Sequence, residues 1–149
     1  MNNYFVGIGI TDLSSEESDY YYFNNIACSN DDHCIAAAEG YDADGSYMIK
    51  GFVTFDGCKT WENTLQGSEV SLMGAAWASD TEGWLSGTSM GAKRELFGNF
   101  YRTTDGGKTW ESPMQIEDCF TMDLDFGGEV GYASCSTSSG SSSSMAMYK

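Results

Sequence analysis

One nine-residue segment occurs twice, and its spacing constrains the fold more than any other feature of the chain. Thr54-Phe55-Asp56-Gly57-Cys58-Lys59-Thr60-Trp61-Glu62 returns as Thr103-Thr104-Asp105-Gly106-Gly107-Lys108-Thr109-Trp110-Glu111, identical at seven of nine positions and displaced by 49 residues. The same displacement carries upstream without a gap: residues 23–29 lie over 72–78, and residues 34–37 over 83–86. A third unit follows at a displacement of 48, where Gly131-Tyr132-Ala133-Ser134 matches Gly83-Trp84-Leu85-Ser86 and Phe120 matches Leu72. A repeat of this kind is one supersecondary unit that buries its apolar faces by stacking on its neighbours.

Each unit reads as short strands separated by small residues and turn formers. In the first unit the strands fall near residues 23–29, 34–40, 47–54 and 60–63, and in the second near 72–78, 83–88, 98–103 and 109–112. Residues 1–12 alternate, with Tyr4, Val6, Ile8 and Ile10 on one face, and are expected to be a separate strand followed by an acidic loop at 14–19. The Ser-rich stretch 136–144 is expected to be a flexible loop between the second and third strands of the last unit. The chain thus divides into an N-terminal strand and loop (1–22), two complete units (23–67 and 68–114) and a partial third (115–149). Four strands in a repeat of about 50 residues point to the blade of a β-propeller. The expected fold is therefore all-β: four-stranded antiparallel meanders, two complete blades and part of a third, in an open ring. Rings close with about 4–8 blades and open sheet edges invite aggregation. The 149 residues are accordingly expected to be a piece of a longer chain, or a protomer or accessory subunit completed by other proteins.

The repeated segment resembles the Asp-box (BNR) motif, Ser/Thr-x-Asp-x-Gly-x-Thr-Trp. Thr103, Asp105, Gly107, Thr109 and Trp110 match every fixed position; Thr54, Asp56, Thr60 and Trp61 match in the first copy, where Cys58 replaces the motif's glycine. The resemblance implies a turn between third and fourth strands on the propeller's periphery. There the Asp accepts hydrogen bonds from turn N–H groups, Gly57 and its counterpart supply positive φ, and Thr then Trp begin the outer strand. These residues are read as structural. The texture of the units, Gly-Trp-Leu-Ser-Gly followed by the box, is similar to the photosystem II stability/assembly-factor branch of Asp-box propellers. That resemblance implies a non-enzymatic, lumenal, protein-binding scaffold, such as an accessory subunit of a photosynthetic complex.

Asp boxes also occur in sialidases, which hold a substrate carboxylate with three arginines and use a Tyr–Glu nucleophile pair. This chain offers only Arg94 and Arg102. It is read as no enzyme, with no catalytic residues, metal or cofactor; the alternative is a fragment of a secreted glycan-binding or sialidase-like propeller. Asp42-Ala43-Asp44-Gly45-Ser46 lacks the later ligands of a calcium loop and reads as a hairpin turn. His33, beside Asp31 and Asp32, reads as a turn histidine. A formal charge of −15, from 22 acidic and 7 basic residues, excludes binding nucleic acid through phosphates. No apolar run approaches the ~20 residues of a membrane-spanning helix, so no direct membrane insertion is expected. The partners expected are other protein subunits or missing blades.

Five cysteines, at 28, 34, 58, 119 and 135, come with one histidine and no Cys-x-x-Cys pair, which disfavours zinc. Hairpin register sets Cys28 opposite Cys34, and Cys119 nearly opposite Cys135 on the same type of hairpin. Disulfides Cys28–Cys34 and Cys119–Cys135 are expected, with Cys58 free or paired outside the chain; the alternative is reduced, buried cysteines. The N-terminus has neither the basic nor the apolar region of a signal peptide. The expected location is an oxidising compartment, thylakoid lumen or extracellular, with the targeting segment absent from this chain.

Overall fold

The computed structural model describes residues 20–68, 70–128, 130–139 and 142–148. Expectations for the strand and loop within 1–19 lie outside them. The described residues form eleven strands in three antiparallel meanders. The first sheet holds β1 (Tyr20–Cys28), β2 (Cys34–Tyr41), β3 (Tyr47–Thr54) and β4 (Glu62–Gly67), in that order. The second holds β5 (Val70–Trp77), β6 (Gly83–Met90), β7 (Leu96–Thr103) and β8 (Met114–Glu117). The third holds β9 (Phe120–Gly127), β10 (Val130–Ser139) and β11 (Ser142–Tyr148).

The sheets stack face to face, and their first strands lie side by side: β5 packs against β1 and β9 against β5. This is the arrangement of propeller blades, two of four strands and one of three. A sheet between two others has no solvent face, so its strands lose the alternation of a half-buried sheet. β6 of the second sheet shows this, buried from Leu85 through Thr88, and β2 of the first sheet is likewise buried from Cys34 through Gly40. Its Ile35 and Ala37 join a core with Leu72, Ala75 and Leu85 of the second sheet, whereas Ala36 and Ala38 pack with Phe52 on the opposite face. A second core, Ala76 and Phe100 with Leu124 and Ala133, joins sheets two and three.

The repeat reappears as a geometric device. Each first strand carries a bulge, with Asn24, Met73 and Met122 left without a partner in the ladder to the second strand. These positions are 49 residues apart. Such a bulge increases local twist and re-aims the strand. Asn24 uses this to donate from Nδ2 to the Leu72 carbonyl of the next blade at 2.7 Å. The bulges also adjust the third unit's register. Its first strand follows the second unit at 49 residues and its second strand at 48, so Phe120 is the counterpart of Ser71 rather than Leu72.

Three boundaries differ from expectation. The outer strands start later than Thr60 and Thr109, at Glu62 and Met114, because those threonines are bound to the aspartates of their turns. Pro113, lacking an N–H, further delays β8. The described residues of the Ser-rich stretch, 136–139 and 142–144, are not a loop: β10 and β11 pair through them, from Thr137↔Ser144 to Ser139↔Ser142. A ladder is made by backbone groups, and serine leaves them free to pair.

Candidate functional site

The two boxes fold into superimposable turns. In the first, Asp56 Oδ1 accepts from the Lys59 and Thr60 N–H groups at 3.0 and 2.9 Å and from Thr54 Oγ1 at 2.9 Å, while Oδ2 accepts from Thr60 Oγ1 at 2.7 Å. Asp105 repeats the set with Lys108, Thr109 and Thr103 at 3.1, 2.9 and 2.8 Å, and takes Thr109 Oγ1 at 2.6 Å. Donation from Thr60 and Thr109 respectively, backbone and hydroxyl, brings each carboxyl down to a pKa of about 2. Both aspartates are consumed by their own turns. Trp61 packs on the outer face of the first sheet, and Trp110 packs on the core between sheets one and two.

The second box is also a joint between blades. Trp110 Nε1 donates to Thr64 Oγ1 of β4 at 3.0 Å, and that hydroxyl donates to the Gly107 carbonyl at 2.6 Å. Gly107 has φ +89°, and a Cβ there would meet Ile35 and Val53 at 3.1 Å. Position 107 therefore needs glycine for conformation and for close approach. Gly106 is similarly tied: its carbonyl accepts from His33 Nε2 at 2.8 Å. His33 is buried, stacked on Phe55 and tilted against Trp77 at ring-centroid distances of 4.8 and 4.5 Å, with Ser29 Oγ 3.1 Å from Nδ1. It pins the β1–β2 turn to the second box.

Sequence patterning missed Glu39. This carboxylate is 5% exposed, at the end of the buried run of β2. It accepts from Tyr22 (2.6 Å), Tyr47 (2.5 Å) and Ser71 (2.6 Å) hydroxyls, Ser71 reaching across from the second blade. Burial pushes its pKa up, but donation from Ser71, Tyr22, Tyr47 and Asn24 outweighs burial and holds it below the usual carboxylate range. The same contacts raise both tyrosines, Tyr22 mainly through Glu39 and Tyr47 mainly through burial. The phenols thus stay protonated, as donors. A carboxylate closing an apolar strand was the signal available, and its counterpart 49 residues on, Thr88, likewise accepts from the next blade, from the Thr121 N–H at 2.8 Å.

The two arginines stand apart. Arg94 lies in the β6–β7 turn with φ +68°. Arg102 Nε bonds Glu82 at 2.8 Å, and Nη1 lies 3.6 Å from Glu111. The Arg102 hydrogen bond lowers the Glu82 pKa.

Cys28 and Cys34 face each other in the β1–β2 ladder with sulfurs 2.05 Å apart. Cys119 precedes β9 and reaches Cys135 diagonally, with sulfurs 1.99 Å apart. Cys58 is unbridged.

An apolar recess opens to the surface between the second and third sheets, a cavity of about 260 Å³. Trp84, Phe100, Met114 and Ile116 line one wall, Leu124, Phe126, Tyr132 and Ala133 the other, and Glu82 stands at its edge. Met114 and Tyr132 are 54% and 42% exposed.

No protein-family model matches the chain, and no curated protein matches it. Among solved structures it is similar to YCF48 bound to D1 peptide, with a TM-score of 0.50 and 17% identity over 88% of this chain and 43% of that one. The chain thus spans less than half the length of that structure. At this identity the likeness concerns the fold, and with the stacked meanders described above it makes this chain an open, partial β-propeller.

Proposed function

We propose that the chain is a non-catalytic, protein-binding β-propeller module of the Asp-box type, a scaffold or accessory subunit working in an oxidising space. The recess between the second and third sheets carries the reading. It offers aromatic and thioether side chains at a surface, the chemistry that dominates protein-binding hot spots, and it has a single carboxylate already engaged by arginine. The similar structure YCF48 holds a peptide, which suits an extended apolar segment as ligand here. The repeat's likeness to photosystem II assembly factors supports a partner from such a complex. Two cysteine pairs at bonding distance support the oxidising compartment.

Arrays of extended peptides and of glycans, probed in parallel, test this. Saturable binding of apolar peptides is expected, weakened about 5–30-fold in Tyr132→Ser and Met114→Ser, as loss of ~1–2 kcal/mol at an anchor requires. The thermal midpoint should stay unchanged because both side chains are exposed. Saturable sugar binding without peptide binding would overturn the proposal in favour of a glycan-binding propeller.

A further inference from the structure

The first box departs from the second at one position, and the departure has a chemical neighbour. Cys58 stands where the second box has Gly107, and it keeps the left-handed backbone, φ 65° against 89°. Glycine adopts that conformation freely and cysteine only at a cost. The turn is rigid: the Cys58 N–H donates to Thr54 Oγ1 at 3.1 Å, and Asp56 grips the next two N–H groups. So held, Cys58 Sγ lies 4.0 Å from Cys34 Sγ. Cys34 is 1% exposed and already bonded to Cys28, which is on an exposed position at the end of β1. The counterparts of the three cysteines in the second blade are Trp77, Gly83 and Gly107, where the indole simply covers the glycine. Packing alone is therefore satisfied there without sulfur.

We propose that Cys28, Cys34 and Cys58 form a thiol–disulfide exchange centre, with Cys34 as the buried shared sulfur and Cys28 as the end presented to a disulfide-bearing partner. The Cys58 thiol loses its proton to solvent base, and the thiolate attacks Cys34 Sγ. The Cys58–Cys34 bond forms, the Cys34–Cys28 bond breaks, and Cys28 leaves as an exposed thiolate. One disulfide replaces another, so this step needs no oxidant or reductant. Cys28 then attacks a partner disulfide, giving a mixed disulfide and one released thiolate. Burial, and then the Asp56 carboxylate, raise the Cys58 thiol above its ordinary pKa. In this structure the centre holds the Cys28–Cys34 disulfide beside the Cys58 thiol. This inference goes beyond the protein-binding reading and does not rest on it.

The experiment uses the intact chain with oxidised glutathione as probe, acid quenching, and peptide mapping without reduction. Exchange places glutathione on Cys28 together with a Cys34–Cys58 bridge, and Cys58→Gly abolishes the Cys28 adduct while leaving Cys119–Cys135 in place. Glutathione on Cys58 with Cys28–Cys34 intact, or no adduct on either cysteine, overturns the proposal. A Cys28→Ser chain adds a check on reach: mild oxidation should join Cys34 to Cys58, and persistence of both thiols would count against it.

Discussion

Between the first and second sheets, Leu72 and Leu85 are fully buried, a carboxylate is clasped by three hydroxyls, and an indole from each of Trp77 and Trp110 donates across the gap. Between the second and third sheets, Thr88 replaces the carboxylate and Leu124 is 7% exposed beside the 260 Å³ cavity, while a disulfide braces the third unit itself. Equivalent repeat positions thus build a joint around fully buried leucines in one place and a recessed one in the other. The third unit also differs internally: Val70 covers Gly87 in the second blade, and Cys119 and Cys135 take those two positions in the third, where a disulfide replaces the apolar contact. Both cysteines belong to the third unit, so their bond braces that sheet and does not cross the joint, whose recess stays open to a partner.

Truncation is the sharpest way to break this comparison. Leu72→Ala should cost about 4 kcal/mol, whereas Leu124→Ala, beside existing empty volume, should fall nearer the low end of about 2 kcal/mol. Chemical denaturation of both variants checks this, and equal losses would mean the joints are equally well packed. Removing that disulfide ranks next. Cys119→Ala with Cys135→Ala opens a loop of 16 residues, for which chain entropy gives a loss of about 3 kcal/mol. An unchanged midpoint in the double variant would show that the third sheet holds by packing and its ladder alone.

The smallest effect separates the joints by charge. The Glu39 pKa is lowered by folding, so its contribution is complete above the unfolded value of about 4.3 and fades as pH falls through the lower folded value. Thr88 does not titrate. Stability should therefore fall on acidification in the wild type and fall less in Glu39→Gln, measured as the difference between their denaturation midpoints from pH 6 to pH 3. Parallel curves would sink the assignment of Glu39 as an acid-sensitive brace. The box aspartates, with pKa values of about 2, add a common loss in both proteins at the acid end.

Much of the architecture was legible in the chain because the repeat is written in residues that act locally. Thr-x-Asp-x-x-x-Thr makes its turn from its own atoms, so Asp56 and Asp105 carry the same bonds at nearly the same distances. Strand starts were less legible: Thr60 and Thr109 read as strand formers, yet their hydroxyls were already committed to the turns. The Ser-rich stretch misled for the opposite reason, since composition describes side chains and β10–β11 is held by backbone groups. Glu39 and His33 escaped because each takes partners from another blade, Ser71 in one case and Gly106 in the other. The same is true of the recess, whose two walls come from different sheets.

The sequence by itself determined the blades: their number, their meander order, the two turns and the cysteine positions all follow from periodicity and short-range bonding. Only the tertiary structure decided how the blades meet. It buried a carboxylate that patterning would leave in water, made a rim histidine a clamp, left a cavity at one joint and brought Cys58 within reach of Cys34. The physical reason is range. Turns and ladders are set by atoms a few residues apart, whereas burial, cavities and perturbed ionisation depend on which faces are pressed together.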